Sequence, residues 1–266
     1  MTIQITIIRI DGYGAWTLTL GTDREAQLQM LQARIYYDLQ RLFSQKECLV
    51  YLNRFDEYFA ITNGLSLKDH KDIQEEIATL YKNLKISMTI GKGNTSFEAN
   101  VNAYEARKAS NFLDKETRIF GQTIPSSSSS KPSSSTTNPN YCEPAYIMHI
   151  DIDGSEKVSS KMSPYEITAL VMKLYAKLSQ AFLEKGAMTF FLGGDNFMVI
   201  SNGIKKEDAR IIINSVTNDI GIKLNCGIGM GRNGRRAAEA ATRALDTIRD
   251  LRDEGKIQPI YEIQCL

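Results

Sequence analysis

The residues that build zinc sites are scarce in this 266-residue chain. It has four cysteines, Cys48, Cys142, Cys226 and Cys265, and none of them are in C-x-x-C spacing. Its two histidines, His70 and His149, are far from each other and from any cysteine pair. Zinc needs such ligands grouped around one point, so no zinc is expected, and so few cysteines in so long a chain argue against a disulfide framework. Long apolar runs are missing too, and Met1-Thr2-Ile3-Gln4 lacks the basic start of a signal peptide. The expected location is the cytosol, with no membrane partner. A net charge of +1 gives no sign of a nucleic-acid partner. Apolar residues make up 42% and charged residues 24%, enough for a buried core in one large domain or two small ones.

Two acids at strand ends give the chain its centre. Phe190-Phe191-Leu192 and Phe197-Met198-Val199-Ile200 flank Gly193-Gly194-Asp195-Asn196. Two apolar runs around turn residues that tolerate positive φ read as a β-hairpin tipped with an acid. Upstream, the apolar run Ala145 to Ile150 leads into Asp151-Ile152-Asp153-Gly154. A strand ending on one carboxylate beside a hairpin carrying another can hold Mg²⁺ against phosphate oxygens. Taken singly, each motif is an ordinary turn or strand end.

The first half shows the same plan. Strand Gln4 to Ile10 ends on Asp11, and the hairpin Leu49 to Thr62 carries Asp56. Thr22-Asp23-Arg24-Glu25 and Ser163-Pro164-Tyr165-Glu166 read as helix starts with capping boxes. Gly91-Lys92-Gly93 is echoed by Gly229-Met230-Gly231. The offsets are 140 for Asp151 against Asp11, 139 for Asp195 against Asp56 and 138 for Gly229 against Gly91. So small a drift marks one internal duplication. Each half reads strand-helix-strand-strand-helix-strand plus a helix. The fold class is α+β: two tandem ferredoxin-like domains with antiparallel sheets and helices on one face. In that order the first and third strands are central neighbours, which places the two acids of each half side by side. The domains are expected at 1–121 and 145–266. The Ser- and Pro-rich segment within 122–144 reads as a linker or surface loop, dispensable for activity.

These motifs resemble known families. Asp151-Ile152-Asp153-Gly154 resembles the metal-binding opening of class III nucleotidyl cyclases. Gly193-Gly194-Asp195-Asn196-Phe197 resembles the GGDEF signature of diguanylate cyclases, with Asn196 in place of the second acid. Ile10-Asp11-Gly12-Tyr13-Gly14-Ala15-Trp16-Thr17, Arg54-Phe55-Asp56-Glu57, His149-Ile150-Asp151-Ile152 and Gly193 to Met198 together look like archaeal GTP cyclohydrolase III, over nearly all of both halves. That resemblance implies palm-like domains that open the imidazole ring of GTP, releasing a formamidopyrimidine ribonucleotide monophosphate and inorganic phosphate. It also implies two Mg²⁺, activation by K⁺ or another monovalent cation, a homo-tetramer, and a place early in flavin and deazaflavin synthesis. A nucleotidyl cyclase and a non-catalytic GTP sensor are the alternatives.

The expected metal ligands are Asp151 and Asp195 with Ile152, and Asp11 with Asp56 is the rival pair. Gly154 and Ser155 would offer backbone N–H groups to phosphates, beside Gly193, Gly194 and Asn196. Arg232, Arg235 and Arg236 read equally as phosphate contacts or a solvated basic helix start, and Arg54 as a phosphate contact or a plain ion pair with Asp56. Trp16 could stack on guanine but reads better as core, and His149 reads as a satisfied core histidine rather than a base.

Overall fold

The computed structural model describes residues 2–121 and 143–265. Most of the Ser-rich segment, 122–142, lies outside the described residues. The first half runs β1 (Ile3–Ile10), α1 (Tyr13–Leu18), α2 (Arg24–Ser44), β2 (Leu49–Arg54), β3 (Glu57–Ile61), α3 (Leu67–Leu80), β4 (Ile86–Gly93), α4 (Ser96–Lys108), β5 (Phe112–Asp114) and β6 (Ile119–Gly121). The second half runs β7 (Ala145–Ile152), α5 (Ser155–Ser159), α6 (Pro164–Leu183), β8 (Met188–Gly193), β9 (Asn196–Ile200), α7 (Lys206–Ile220), β10 (Leu224–Gly231), α8 (Gly234–Asp253) and β11 (Ile260–Cys265).

Each half has its own sheet, in the order β2-β3-β1-β4-β6-β5 and β11-β10-β7-β9-β8. The first and third strands are neighbours in both, as the sequence order requires. Two expectations need correction. The sheets are not wholly antiparallel: β6 joins β4, and β11 joins β10, in parallel. A helix separates each such pair of strands, and a strand that follows a crossover helix can return in the same direction. Nor do the helices keep to one face. Alternate β1 residues, Ile8 and Ile10, pack with α2 and α3, whereas Ile3, Ile5 and Ile7 face Ala99 and Ala103 of α4. The period of two along a strand makes both faces of β1 apolar, so both must be covered.

The inner face holds the two halves together. Ile3, Ile5 and Ile61 share one core with Ile147, Met198 and Ile200, and with alanines of α4 and α8. Small residues let these helices lie close to their strands. A Cβ on Gly91 would fall 2.0 Å from the Ala99 carbonyl oxygen, and one on Gly229 would fall 2.1 Å from that of Ala237. The interface between halves is reciprocal. Ser96, at the start of α4, donates to the carbonyl of Ile200 at 2.7 Å, and Gly234, at the start of α8, packs on Ile61. The Tyr51 and Phe190 rings, from equivalent strands, stack with centroids 4.8 Å apart. Equivalent residues that meet each other mark a pseudo-twofold axis.

Helix starts follow the sequence unevenly. At α6, Pro164 occupies the first turn and the Ser163 N–H donates to Glu166 at 2.7 Å. The box expected at Thr22 does not form: α2 begins at Arg24 behind Asp23, which makes no side-chain cap.

Candidate active site

Backbone pairing settles how the halves correspond. Ile3 lies opposite Gly93 and Ala145 opposite Gly231, so β1 maps onto β7 with an offset of 142, from 145 − 3. The turns agree, because Gly12 at φ +64° and Gly154 at φ +67° each precede a short helix. Their left-handed conformation suits glycine and anchors the match. Asp11 therefore corresponds to Asp153, not Asp151. Both donate their N–H to the start of the β4 or β10 strand, at Lys85 and Lys223. Arg9 stands where the second half has Asp151. The expected offset of 140 was a slip of one pleat: Ile-Asp occurs twice in Ile150-Asp151-Ile152-Asp153, and either alignment keeps an acid on the same face.

The two ends differ in chemistry. Arg9 pairs across the sheet with Glu57, and its Nε donates to Glu57 Oε2 at 2.9 Å. Asp11 is fully engaged: Arg107 and Ser87 donate to Oδ1, and Arg118 to Oδ2, each at 2.9 Å. Asp56 faces Arg54 at 3.5 Å, and Arg54 also reaches Glu57 at 3.2 Å, so Arg54 is an ion-pair partner. Trp16 packs at the edge of the first core beside Tyr13, with ring centroids 5.8 Å apart.

In the second half, Asp151, Ile152, Gly154, Ser155 and Asp195 line a single cavity of about 990 Å³. Asp153, Asn225, Arg249 and Arg252 line it as well. Asp151 follows Ile147 and His149 on the inner face of β7, towards α8. Arg249 donates to Asp151 Oδ2 at 2.7 Å, and Arg252 to Asp153 Oδ1 at 2.7 Å. Asp151 is buried, and among the described residues its Oδ1 has no hydrogen-bond partner. Burial pushes its carboxyl above the usual aspartate range; the Arg249 hydrogen bond and charge and the neighbouring Asn225 amide, which makes no hydrogen bond of good geometry to Oδ1, oppose the shift, and the Asp195 charge adds to it. An unpartnered buried carboxylate oxygen is costly unless something binds it.

Gly193 and Gly194, at φ +109° and +60°, form the turn that carries Asp195. Asn196 does not line the cavity but donates to Asp195 Oδ1 at 3.0 Å. Arg235 and Arg236 lie far from it. They are at the N-terminal end of α8, where Arg235 donates to the Ser44 carbonyl at 3.1 Å and Arg236 pairs with Glu47 and Glu239. Fourteen residues of helix separate Arg235 from Arg249, roughly 21 Å. Arg232 is likewise at that end and not among the residues lining the cavity. These arginines therefore cannot share a phosphate with Gly154 and Ser155, from which the helix carries them away. The arginines beside the acids are Arg249 and Arg252, which the sequence reading missed. Their spacing of three, on one helix face, was the available signal.

The family profile described as GTP cyclohydrolase III matches residues 3–260. The chain belongs to the GTP cyclohydrolase III family. A GTP cyclohydrolase III of Methanothermobacter thermautotrophicus is 36% identical over 248 residues, covering 93% of this chain and 94% of that protein. One of Methanocaldococcus jannaschii is 37% identical over 248 residues, covering 93% and 88%. Among solved structures, the active GGEEF domain of a diguanylate cyclase from Vibrio cholerae aligns with a TM-score of 0.36 and 18% identity, over 45% of this chain and 83% of that one. A likeness at that level carries no argument about function. No helix among the described residues is long and apolar enough to cross a membrane.

Proposed function

We propose that the cavity at Asp151 and Asp195 is where this GTP cyclohydrolase III family member binds GTP and hydrolytically opens its imidazole ring. The products are 2-amino-5-formylamino-6-(5-phosphoribosylamino)pyrimidin-4(3H)-one and inorganic phosphate. Family membership supports the reaction class. The free Oδ1 of Asp151, set against the saturated Asp11, is the observation that supports this cavity over the rival pair.

The donor set fits Mg²⁺. Among the described residues no group of three or more His, Cys, Asp or Glu could hold a metal. Two carboxylates, with the Ile152 carbonyl as a third oxygen, suit a hard cation that completes its shell with water and substrate phosphates. Bound there, two Mg²⁺ would neutralise triphosphate charge and acidify a water.

The chain's own groups divide the rest of the work. Arg249 and Arg252 supply positive charge for the triphosphate, and each must exchange a carboxylate for a phosphate oxygen as substrate enters. Gly154 and Ser155 border the same space and offer backbone N–H groups to the phosphates. Arg249 also pulls the Asp151 carboxyl back down, against the larger desolvation that raises it. A monovalent cation such as K⁺ is proposed as an activator.

The test is to incubate the chain with GTP and Mg²⁺ and identify the product by mass, with Asp151→Asn as control. The formylamino pyrimidine monophosphate and free phosphate are expected from the wild type alone. A cyclic nucleotide, or GTP recovered unchanged, would overturn this reading.

A further inference from the structure

A line of hydrogen bonds crosses the second half behind the cavity. It starts on α8 and ends on the hairpin acid. The Thr242 hydroxyl lies 3.2 Å from His149 Nδ1. His149 Nε2 lies 3.0 Å from Asn196 Oδ1, and Asn196 Nδ2 donates to Asp195 Oδ1 at 3.0 Å. The chemistry fixes every direction. The Asn196 amide N–H points at a carboxylate, so its Oδ1 points away and needs a donor. His149 Nε2–H is that donor, which leaves Nδ1 to accept from the Thr242 hydroxyl.

The turn that bears Asp195 contains two consecutive glycines at positive φ. Such a backbone has little stiffness of its own. A carboxylate there loses freedom when it binds a cation, unless something already orients it. An Asn196 with no donor at its Oδ1 could rotate its amide and turn that oxygen towards Asp195, where two acceptors repel.

The first half shows that the fold does not need this line. By the offsets of the strands and helices above, Ile7, Glu57 and Tyr104 occupy the positions of His149, Asn196 and Thr242. The same sheet and the same helix form there without one of the three side chains. The line accompanies the free carboxylate, not the architecture.

We propose that His149 is a positioning residue: through Asn196 it orients the Asp195 carboxylate for the cation of the site. This rests on the assignment of Asp151 and Asp195 as that site. Thr242 sets the histidine tautomer from behind.

The test uses the full chain and Mn²⁺ as a spectroscopic probe. Mn²⁺ affinity is measured by electron paramagnetic resonance with a non-hydrolysable GTP analogue present, beside kcat and KM for GTP with Mg²⁺. His149→Leu should weaken Mn²⁺ about tenfold, as losing an outer-shell partner of a ligand does. It should lower kcat with little change in KM, at a melting temperature near that of the wild type. His149→Gln, whose amide N–H reaches a similar point, should restore most of the affinity. Thr242→Val should shift affinity in the same direction by less. Wild-type Mn²⁺ binding in His149→Leu, or no recovery in His149→Gln, would overturn the proposal. Asp195→Asn is the reference: if it binds Mn²⁺ normally, the site assignment itself fails and this role fails with it.

Discussion

The two halves share a backbone plan and differ in what they do with the same two positions. In the second half, Asp151 and Asn196 lie just beyond the last paired residues of β7 and β9, Ile150 and Phe197, and Asp151 keeps one oxygen without a hydrogen bond. In the first, Arg9 and Glu57 occupy those places and neutralise each other. An acid facing an amide leaves a net charge to be balanced by a ligand, whereas an arginine facing a glutamate closes the account within the protein. A pair of retained acids is therefore a weak sign of a retained site. What matters is whether a carboxylate still has an oxygen to give.

The largest test of this contrast is charge removal. Asp151→Asn and Asp195→Asn should each lower GTP turnover by more than the ~100-fold typical of losing an outer-shell partner. Asp11→Asn should leave turnover per folded molecule within about twofold and cost about 1 kcal/mol of stability, because Arg107 and Arg118 lose their acceptor. Turnover assays and denaturant melts on the three variants decide it. The reverse ranking would move the site to the first half.

A smaller effect separates the arginines. Arg249→Ala should raise KM for GTP about tenfold, the worth of one charge-assisted hydrogen bond. Arg107→Ala, on the equivalent helix face of the first half, should leave KM unchanged. Equal KM effects would remove the distinction between the halves.

Helix seating comes next. Gly91→Ala and Gly229→Ala each force a Cβ against helix backbone and should cost about 1–3 kcal/mol. Only Gly229→Ala should also impair turnover, since α8 carries Arg249. Unimpaired turnover at full destabilisation would show that α8 placement does not matter to the site.

The smallest effect concerns pH. The folded protein raises the Asp151 carboxyl above its ordinary value. Its contribution to stability is therefore fully present below the ordinary aspartate range and is lost as pH rises through the raised value. Above that raised value the ionised carboxylate weakens the metal-free fold. Asp151→Asn should raise its melting temperature by about 2 °C there, and the gain should vanish towards acid pH. A melting temperature below that of the wild type at neutral pH would contradict the burial argument.

Much of this was legible in the residues. Alternating apolar strands and the turn Gly193-Gly194-Asp195 located the hairpin, and strand order alone brought Asp151 beside it. The correspondence between halves was misread by two residues, because two residues is the pleat repeat and apolar-acid pairs occur in tandem at Ile150 to Asp153. Only the turn glycines, Gly12 and Gly154, break that ambiguity. Arg249 and Arg252 were missed because they lie about a hundred residues downstream of the acids they meet. No local pattern reports a contact made by folding a helix back over a sheet. His149 reads as a core residue in the sequence but is only half-buried, and its two partners, Thr242 on α8 and Asn196 on β9, come from elements distant in the chain.

The stacked Tyr51 and Phe190, and the exchanged contacts of Ser96 with Ile200 and Gly234 with Ile61, have a consequence for history. A face that buries its own equivalent is the face of a homodimer. A half-length chain bearing it would leave its inner-face core uncovered as a monomer, and both copies would be bound to keep the same residues at both ends. Joining the copies lifts that constraint. Each can then change without its twin, and one can carry an arginine where the other carries an aspartate while still serving as the other's scaffold.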